Sequence, residues 1–223
     1  MADVSWRFLR RAAQFDVRRS LNLTVEGLEH VPARGPVLLA SRHYHHLHDG
    51  AAIVATIPRP TRILVGLDWI EQAPVKWTMD RLCAAAGWPV VQRRRPGVES
   101  EPGDVRALLA ALDQSVETLR KGEVLLVFPE GYPTIDPTWT PKTRDDEVLP
   151  FMPGVVRIAS RAERIGLAVP IVPVGLEYRP GARWDLTVRF GEPYRAPVRG
   201  GEADLLVELE HDVRMLSGLP TRV

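Results

Sequence analysis

"GPVLLASRHYHHLHDGAAIVATI", residues 35–57, sets the architecture of this chain. A Gly-Pro break opens an apolar run at 35–41, short and uninterrupted, the pattern of a strand buried on both faces. That run delivers the chain into a polar cluster holding four of the six histidines, His43, His45, His46 and His48, followed by Asp49. From Asp49 the composition turns to "DGAAIVATI" (49–57), a helix start with an acid where the helix dipole favours one. Strand, polar turn, helix is the unit of an α/β fold.

The same alternation runs on in both directions. Strands are expected at 61–67, 88–95, 123–128, 169–178 and 185–194. Helices are expected at 74–87, 104–122, 154–166 and 201–216, several with Pro at the entrance or Gly at the exit. Residues 132–150 carry four prolines and no apolar period, so they read as a long functional loop. The expected fold is a single-domain α/β structure whose mixed, mostly parallel sheet is flanked by helices. Its 223 residues and 45% apolar content suit one such core.

Residues 4–19 differ from the rest. Arg7, Arg10, Arg11, Arg18 and Arg19 stand against Asp16, with Trp6, Leu9, Ala13 and Val17 on one helical face. The expected division is therefore 1–24, a basic amphipathic helix and candidate membrane anchor, and 25–223, the main domain. The N-terminal stretch lacks the apolar run of a secretory leader, and no stretch reaches the ~18–20 apolar residues of a spanning helix. The expectation is a cytoplasmic protein, peripheral on the cytoplasmic face of a membrane. A formal charge of +1 gives no bias toward nucleic acid. The lone Cys83, inside a helical pattern, is expected to be a buried thiol.

Polar clusters at strand ends mark ligand sites in open α/β sheets. Three occur: the histidines after 35–41, Arg93 to Arg95 after 88–92, and Glu130-Gly131 after 123–128. A base, a group of cations and a Gly-loosened turn suit an anionic substrate undergoing acid–base chemistry.

These residues resemble the glycerolipid acyltransferase family, of the 1-acylglycerol-3-phosphate acyltransferase type. "SRHYHHLHD" answers its His-x4-Asp motif, and Gly87 to Arg93 in "GWPVVQR" its second. "FPEGYP" answers Phe-Pro-Glu-Gly-Thr-Arg, and "VPIVPVG" the apolar fourth motif. The order matches, and the resemblance covers about residues 25–195. It implies a glycerol-phosphate acyltransferase-like fold for the 25–223 domain. It implies transfer of a fatty acyl chain from acyl-CoA or acyl carrier protein to a hydroxyl of a lysophospholipid or related lipid. These are co-substrates; no cofactor or metal is implied. His43 would be the general base and Asp49 its carboxylate partner, with no acyl-enzyme. Arg93 would clamp phosphate, Glu130 would orient the acceptor or support the site, and Gly131 would allow close backbone approach. Pro173 would shape the acyl-side wall. Trp69, Trp77 and Trp88 would line an acyl groove or touch the bilayer, against plain core packing.

Three departures stand out, the first being Arg42 in place of the family's usual Asn before His43. Five residues rather than four separate His43 from Asp49, and Tyr132-Pro133 replaces Thr-Arg, which removes one expected cation. On a continuous helix, six positions would set His43 and Asp49 about 240° apart, so His43 must lie on the preceding loop. His45 is the alternative base, an i, i+4 partner of Asp49. His43 is preferred because "LLASRH" matches the family's approach. Two other readings remain at this stage: a metal-dependent hydrolase using the histidines, and a non-catalytic lipid-binding protein of the same fold. Oligomeric state is left open.

Overall fold

The computed structural model describes residues 2–67, 70, 72–91, 102–136, 139–196 and 200–219. The main sheet has the order β1 (Leu21–Glu26), β8 (Trp184–Phe190), β7 (Pro170–Arg179), β2 (Val37–Ser41), β6 (Val124–Val127), β3 (Thr61–Ile63). Strand β9 (Tyr194–Arg195) pairs the start of β7. Strands β7, β2, β6 and β3 run parallel; β8 is antiparallel to β7 and parallel to β1. The expected mixed, mostly parallel sheet is what forms.

The central strands are buried throughout, so their side chains divide by the period of two between two apolar layers. Leu39, Leu126 and Val172 face a layer built with Trp6, Ala13 and Val17 of helix α1 (Ala2–Ser20) and Ile53 of helix α2 (His48–Thr56). Leu38, Ala40, Leu125 and Ile171 face the other layer. There they meet Val116 and Leu119 of α4 (Pro102–Arg120), Ile158 of α5 (Gly154–Glu163) and Leu209 of α6 (Glu202–Leu216). Helix α3 (Ala73–Ala86) covers a smaller cluster with Leu67, Ile70 and the buried Cys83. Its exit is Gly87, left-handed at φ 66°.

Some boundaries differ from expectation. The strand expected at 61–67 breaks at Leu64, because β3 pairs β6 while β4 (Val65–Gly66) pairs β5 (Val90–Val91) in a separate small sheet. The strand expected at 185–194 stops at Phe190 and resumes as β9. Pro173 sits where the β8 and β9 pairings of β7 meet, a place that tolerates a missing N–H. Strand β1 was not expected at all; it follows directly on α1, which ends at Ser20.

Candidate active site

Strands β2 and β6 are parallel neighbours, with Ala40 opposite Val127, so the loops leaving their C-terminal ends emerge side by side. The first carries His43, the second Glu130. Neighbouring parallel strands that both end in polar loops make the crevice typical of α/β sites.

The loop from β2 bends so that Asp49, in the first turn of α2, gathers four donors. The His43 Nδ1 lies 2.9 Å from Oδ2, and the same oxygen accepts the Tyr44 N–H at 2.6 Å and the His45 N–H at 2.9 Å. The Tyr178 hydroxyl donates to Oδ1 at 2.7 Å. Asp49 is completely buried, and a carboxylate with this donor set is fixed in orientation. With Asp49 accepting, the His43 ring hydrogen belongs on Nδ1 and the lone pair on Nε2. The ring stacks on Phe128 at 4.1 Å between centroids, which fixes its plane. Between His43 and Asp49, Tyr44 turns inward, stacks on Tyr178 at 4.5 Å and meets Trp184 edge-on.

The rival ring behaves differently. His45 reaches Asp49 through its main chain, while its Nδ1 accepts the Leu47 N–H at 3.2 Å and the His48 N–H at 3.3 Å. It thus caps the start of α2. Burial, followed by the nearby His48 and His46, lowers its pKa to about 4. His48 turns away to Asp16 of α1, 3.0 Å from Nδ1 to Oδ2. His46 is exposed and stacks on His45. Among the described residues, no three His, Cys, Asp or Glu side chains converge as metal ligands would.

Phe128 to Gly131 form a turn closed by Gly131 N–H to Phe128 C=O at 3.0 Å. Gly131 takes φ 74°, a left-handed conformation that favours glycine. Glu130 points inward. Its Oε1 accepts the His43 N–H at 2.8 Å; its Oε2 accepts the Leu149 N–H at 2.9 Å and lies 2.6 Å from Lys142 Nζ. Of its two expected roles, this geometry fits support of the site.

Two buried cations, Arg42 and Lys142, accompany the two buried carboxylates Asp49 and Glu130. Arg42 donates to the Leu176 and Asp145 carbonyls and lies over the Tyr44 ring, 4.9 Å from its centroid. Burial lowers its pKa, while Glu130 and Asp49 oppose that shift. The long loop closes over the site. Ile135 forms a parallel bridge with His45, and its N–H reaches the Tyr44 carbonyl at 2.6 Å.

Arg93, Arg94, Arg95 and Trp69 lie outside the described residues. Trp77 is exposed beneath the Arg81 guanidinium, and Trp88 packs against the core. Two residues at the site carried no motif signal, and a third, Phe128, opens "FPEGYP" but gave no sign that its ring would hold the His43 ring. Tyr178 closes an apolar strand. Lys142 sits in a stretch, "PKTRDDE", that looks fully solvated.

Comparison with known proteins bears on the fold and the family. No curated protein matches the chain. The crystal structure of the 1-acyl-sn-glycerophosphate acyltransferase PlsC from Thermotoga maritima is similar, with a TM-score of 0.62. The match covers 96% of this chain and 77% of that one at 20% identity, a likeness of fold. The family model described as Acyltransferase matches residues 22–177, which include both loops of the site. The chain therefore belongs to the Acyltransferase family and is an acyltransferase.

Proposed function

We propose that this protein moves a fatty acyl chain from an acyl thioester, on coenzyme A or acyl carrier protein, to a hydroxyl of a lysophospholipid or related lipid. His43 Nε2 takes the proton of the acceptor hydroxyl as its oxygen attacks the thioester carbonyl carbon. The carbon–sulfur bond then breaks, and the thiolate leaves with the proton returned from the imidazolium. Asp49 holds the tautomer and steadies the imidazolium, the logic of a His–Asp pair in serine hydrolases. The acceptor is itself the alcohol, so no acyl-enzyme forms. Arg93 binds substrate phosphate in this reading, and Glu130 and Gly131 support the substrate side of the site. The observation that carries the proposal is the 2.9 Å contact between His43 Nδ1 and a buried Asp49 at the end of β2.

An acyl-transfer assay with both thioester donors, across lysophospholipids, glycerol phosphate and glycolipid alcohols, tests it. Wild type is expected to turn over at least one pairing. His43→Ala, folded by circular dichroism, is expected to lose about 10²–10⁴-fold. A full rate in that variant would refute the base assignment and leave a different mechanism on the same fold.

The reading includes a peripheral position on the cytoplasmic face of a bilayer. It is supported by α1, whose inner face is core while Phe8 and Phe15 are 75% and 68% exposed. Seven positions apart, they share the outer face with exposed Arg11, Arg18 and Arg19. Among the described helices, none is long and apolar enough to cross a membrane. Co-sedimentation with anionic phospholipid vesicles, weakened in a Phe8→Ala/Phe15→Ala variant and by salt, is the expected result. Equal binding by that variant would remove α1 from the membrane face.

A further inference from the structure

Lys142 occupies a place that neither the four motifs nor the proton transfer accounts for. It comes from the proline-rich loop, 99 positions from His43 in sequence. Its side chain has no solvent exposure. Burial pushes the pKa of its ammonium down, and Glu130 opposes that shift. Nζ lies 2.6 Å from Glu130 Oε2, donates to the His43 carbonyl at 2.7 Å, and approaches Thr134 Oγ1 at 3.4 Å. Glu130, through Oε1, accepts the His43 N–H at 2.8 Å. One buried ion pair therefore grips both main-chain polar groups of a single residue. The Thr134 N–H, at 3.2 Å, takes the second position on the same carbonyl.

An ammonium taken out of water is expensive unless it is paired and hydrogen-bonded. A loop that needed only anchoring would be served by apolar side chains. Val148 and Phe151, near the far end of this loop, provide that kind of anchor by packing into the core. The cation is placed instead where it meets the main chain of the residue whose ring contacts Asp49. The family's third motif ends in Thr-Arg and this chain has Tyr132-Pro133; the cation beside Glu130 is Lys142, farther along the loop.

We propose that Lys142 is a positioning residue for His43. With Glu130 it fixes the direction in which the His43 side chain leaves the backbone, so that Nδ1 meets Asp49 and Nε2 meets the acceptor. This rests on His43 being the base. Its side chain is closed to solvent, so its loss is expected to lower kcat and leave KM for donor and acceptor nearly unchanged.

The test compares Lys142→Met, Lys142→Arg and the double variant Glu130→Gln/Lys142→Met. Thermal midpoint, kcat, both KM values and the pH–rate profile are measured for each. Lys142→Met strands the Glu130 charge and is expected to lose stability and activity together. The double variant removes both charges; its glutamine keeps an oxygen for the His43 N–H but no longer accepts the Leu149 N–H. It is expected to regain part of the thermal midpoint that Lys142→Met loses while kcat stays down at least about tenfold, since small misplacements cost rate heavily. The acidic limb of its pH–rate profile is expected to shift, because the His43 ring no longer sits squarely on Asp49. A double variant with wild-type kcat would make the pair mere scaffolding and overturn the proposal. So would a rise in acceptor KM at unchanged kcat. If the double variant does not fold, Lys142→Arg, which keeps charge but not shape, decides on the same readouts; wild-type kcat there overturns the proposal. His43→Ala is assayed alongside. An active His43→Ala defeats the base assignment itself, whereas an inactive one beside a fully active double variant defeats only this inference.

Discussion

Two histidine–aspartate pairs share the segment that follows β2, and by distance they are nearly the same. His43 Nδ1 lies 2.9 Å from Asp49, and His48 Nδ1 lies 3.0 Å from Asp16. The two rings are equally accessible, at 15% each. The carboxylates differ: Asp49 has no exposure, whereas Asp16 is about a third exposed, at 32%, on α1. Asp49 also accepts two backbone N–H groups and the Tyr178 hydroxyl. His43 is further held by Phe128 at its ring and by Glu130 and Lys142 at its main chain. His48 stands in the first turn of α2 and reaches across to α1. The first pair has the preorganisation that proton transfer requires. The second is a clasp between two helices. A His–Asp distance by itself does not separate these cases; the surroundings of the carboxylate do.

The sharpest way to break this contrast is to neutralise each carboxylate in turn. Asp49→Asn is expected to lower kcat about 10³–10⁴-fold, since the amide disturbs the tautomer that leaves Nε2 as acceptor. Asp16→Asn is expected to stay within about threefold of wild type, because a partly exposed pair contributes only ~0–1 kcal/mol. Steady-state kinetics on both folded variants decides. Equal losses would show that the α1 clasp is part of the catalytic apparatus.

A smaller effect is expected at Tyr178. Burial, then Asp49, pushes its phenol pKa up, so it remains a neutral donor to Oδ1 at any working pH. Tyr178→Phe removes one of four donors and keeps the ring stacked on Tyr44. A hydrogen bond to a charged group contributes about 1.5–3 kcal/mol. Stability is expected to fall within that range, and kcat by about three- to tenfold. An unchanged kcat with lowered stability would assign Tyr178 to packing alone.

The legible part of this molecule is what local pattern controls. Strand β2 and helix α2 follow from an uninterrupted apolar run and an acid at the helix start. The ring that meets Asp49 belongs to the histidine preferred from the "LLASRH" approach. Strand β1, "LNLTVE", was illegible because most of it is exposed and its partner β8 lies 163 positions away. Lys142 was illegible for a related reason. Its flanks, "PKTRDDE", are those of a solvated loop, and it is buried only because tertiary closure brings that loop over Glu130. A sequence window cannot display a charge whose burial depends on strands joined elsewhere. Arg93, read from the second motif, lies outside the described residues.

The smallest expected effect concerns His45, the histidine that caps rather than contacts. Folding lowers its pKa from 6.5 to about 4, so below pH 6.5 the unfolded chain takes up a proton that the folded chain resists. The stability contributed by neutral His45 is therefore complete above about pH 6.5 and is lost as pH falls through about 4. Replacing it with alanine removes the acceptor for the Leu47 and His48 N–H groups, a cap worth about 0.5–2 kcal/mol at neutral pH. His45→Ala should be less stable than wild type at pH 7.5, and the gap should narrow steadily toward pH 4. Its kcat at neutral pH should remain within about threefold, because Asp49 keeps the His45 main-chain N–H whatever the side chain. Denaturant midpoints of the two proteins across pH 4–8 measure the gap. Parallel curves would mean that His45 takes up its proton equally readily folded and unfolded, and the distinction between a capping imidazole and a proton-transferring one would lose this support.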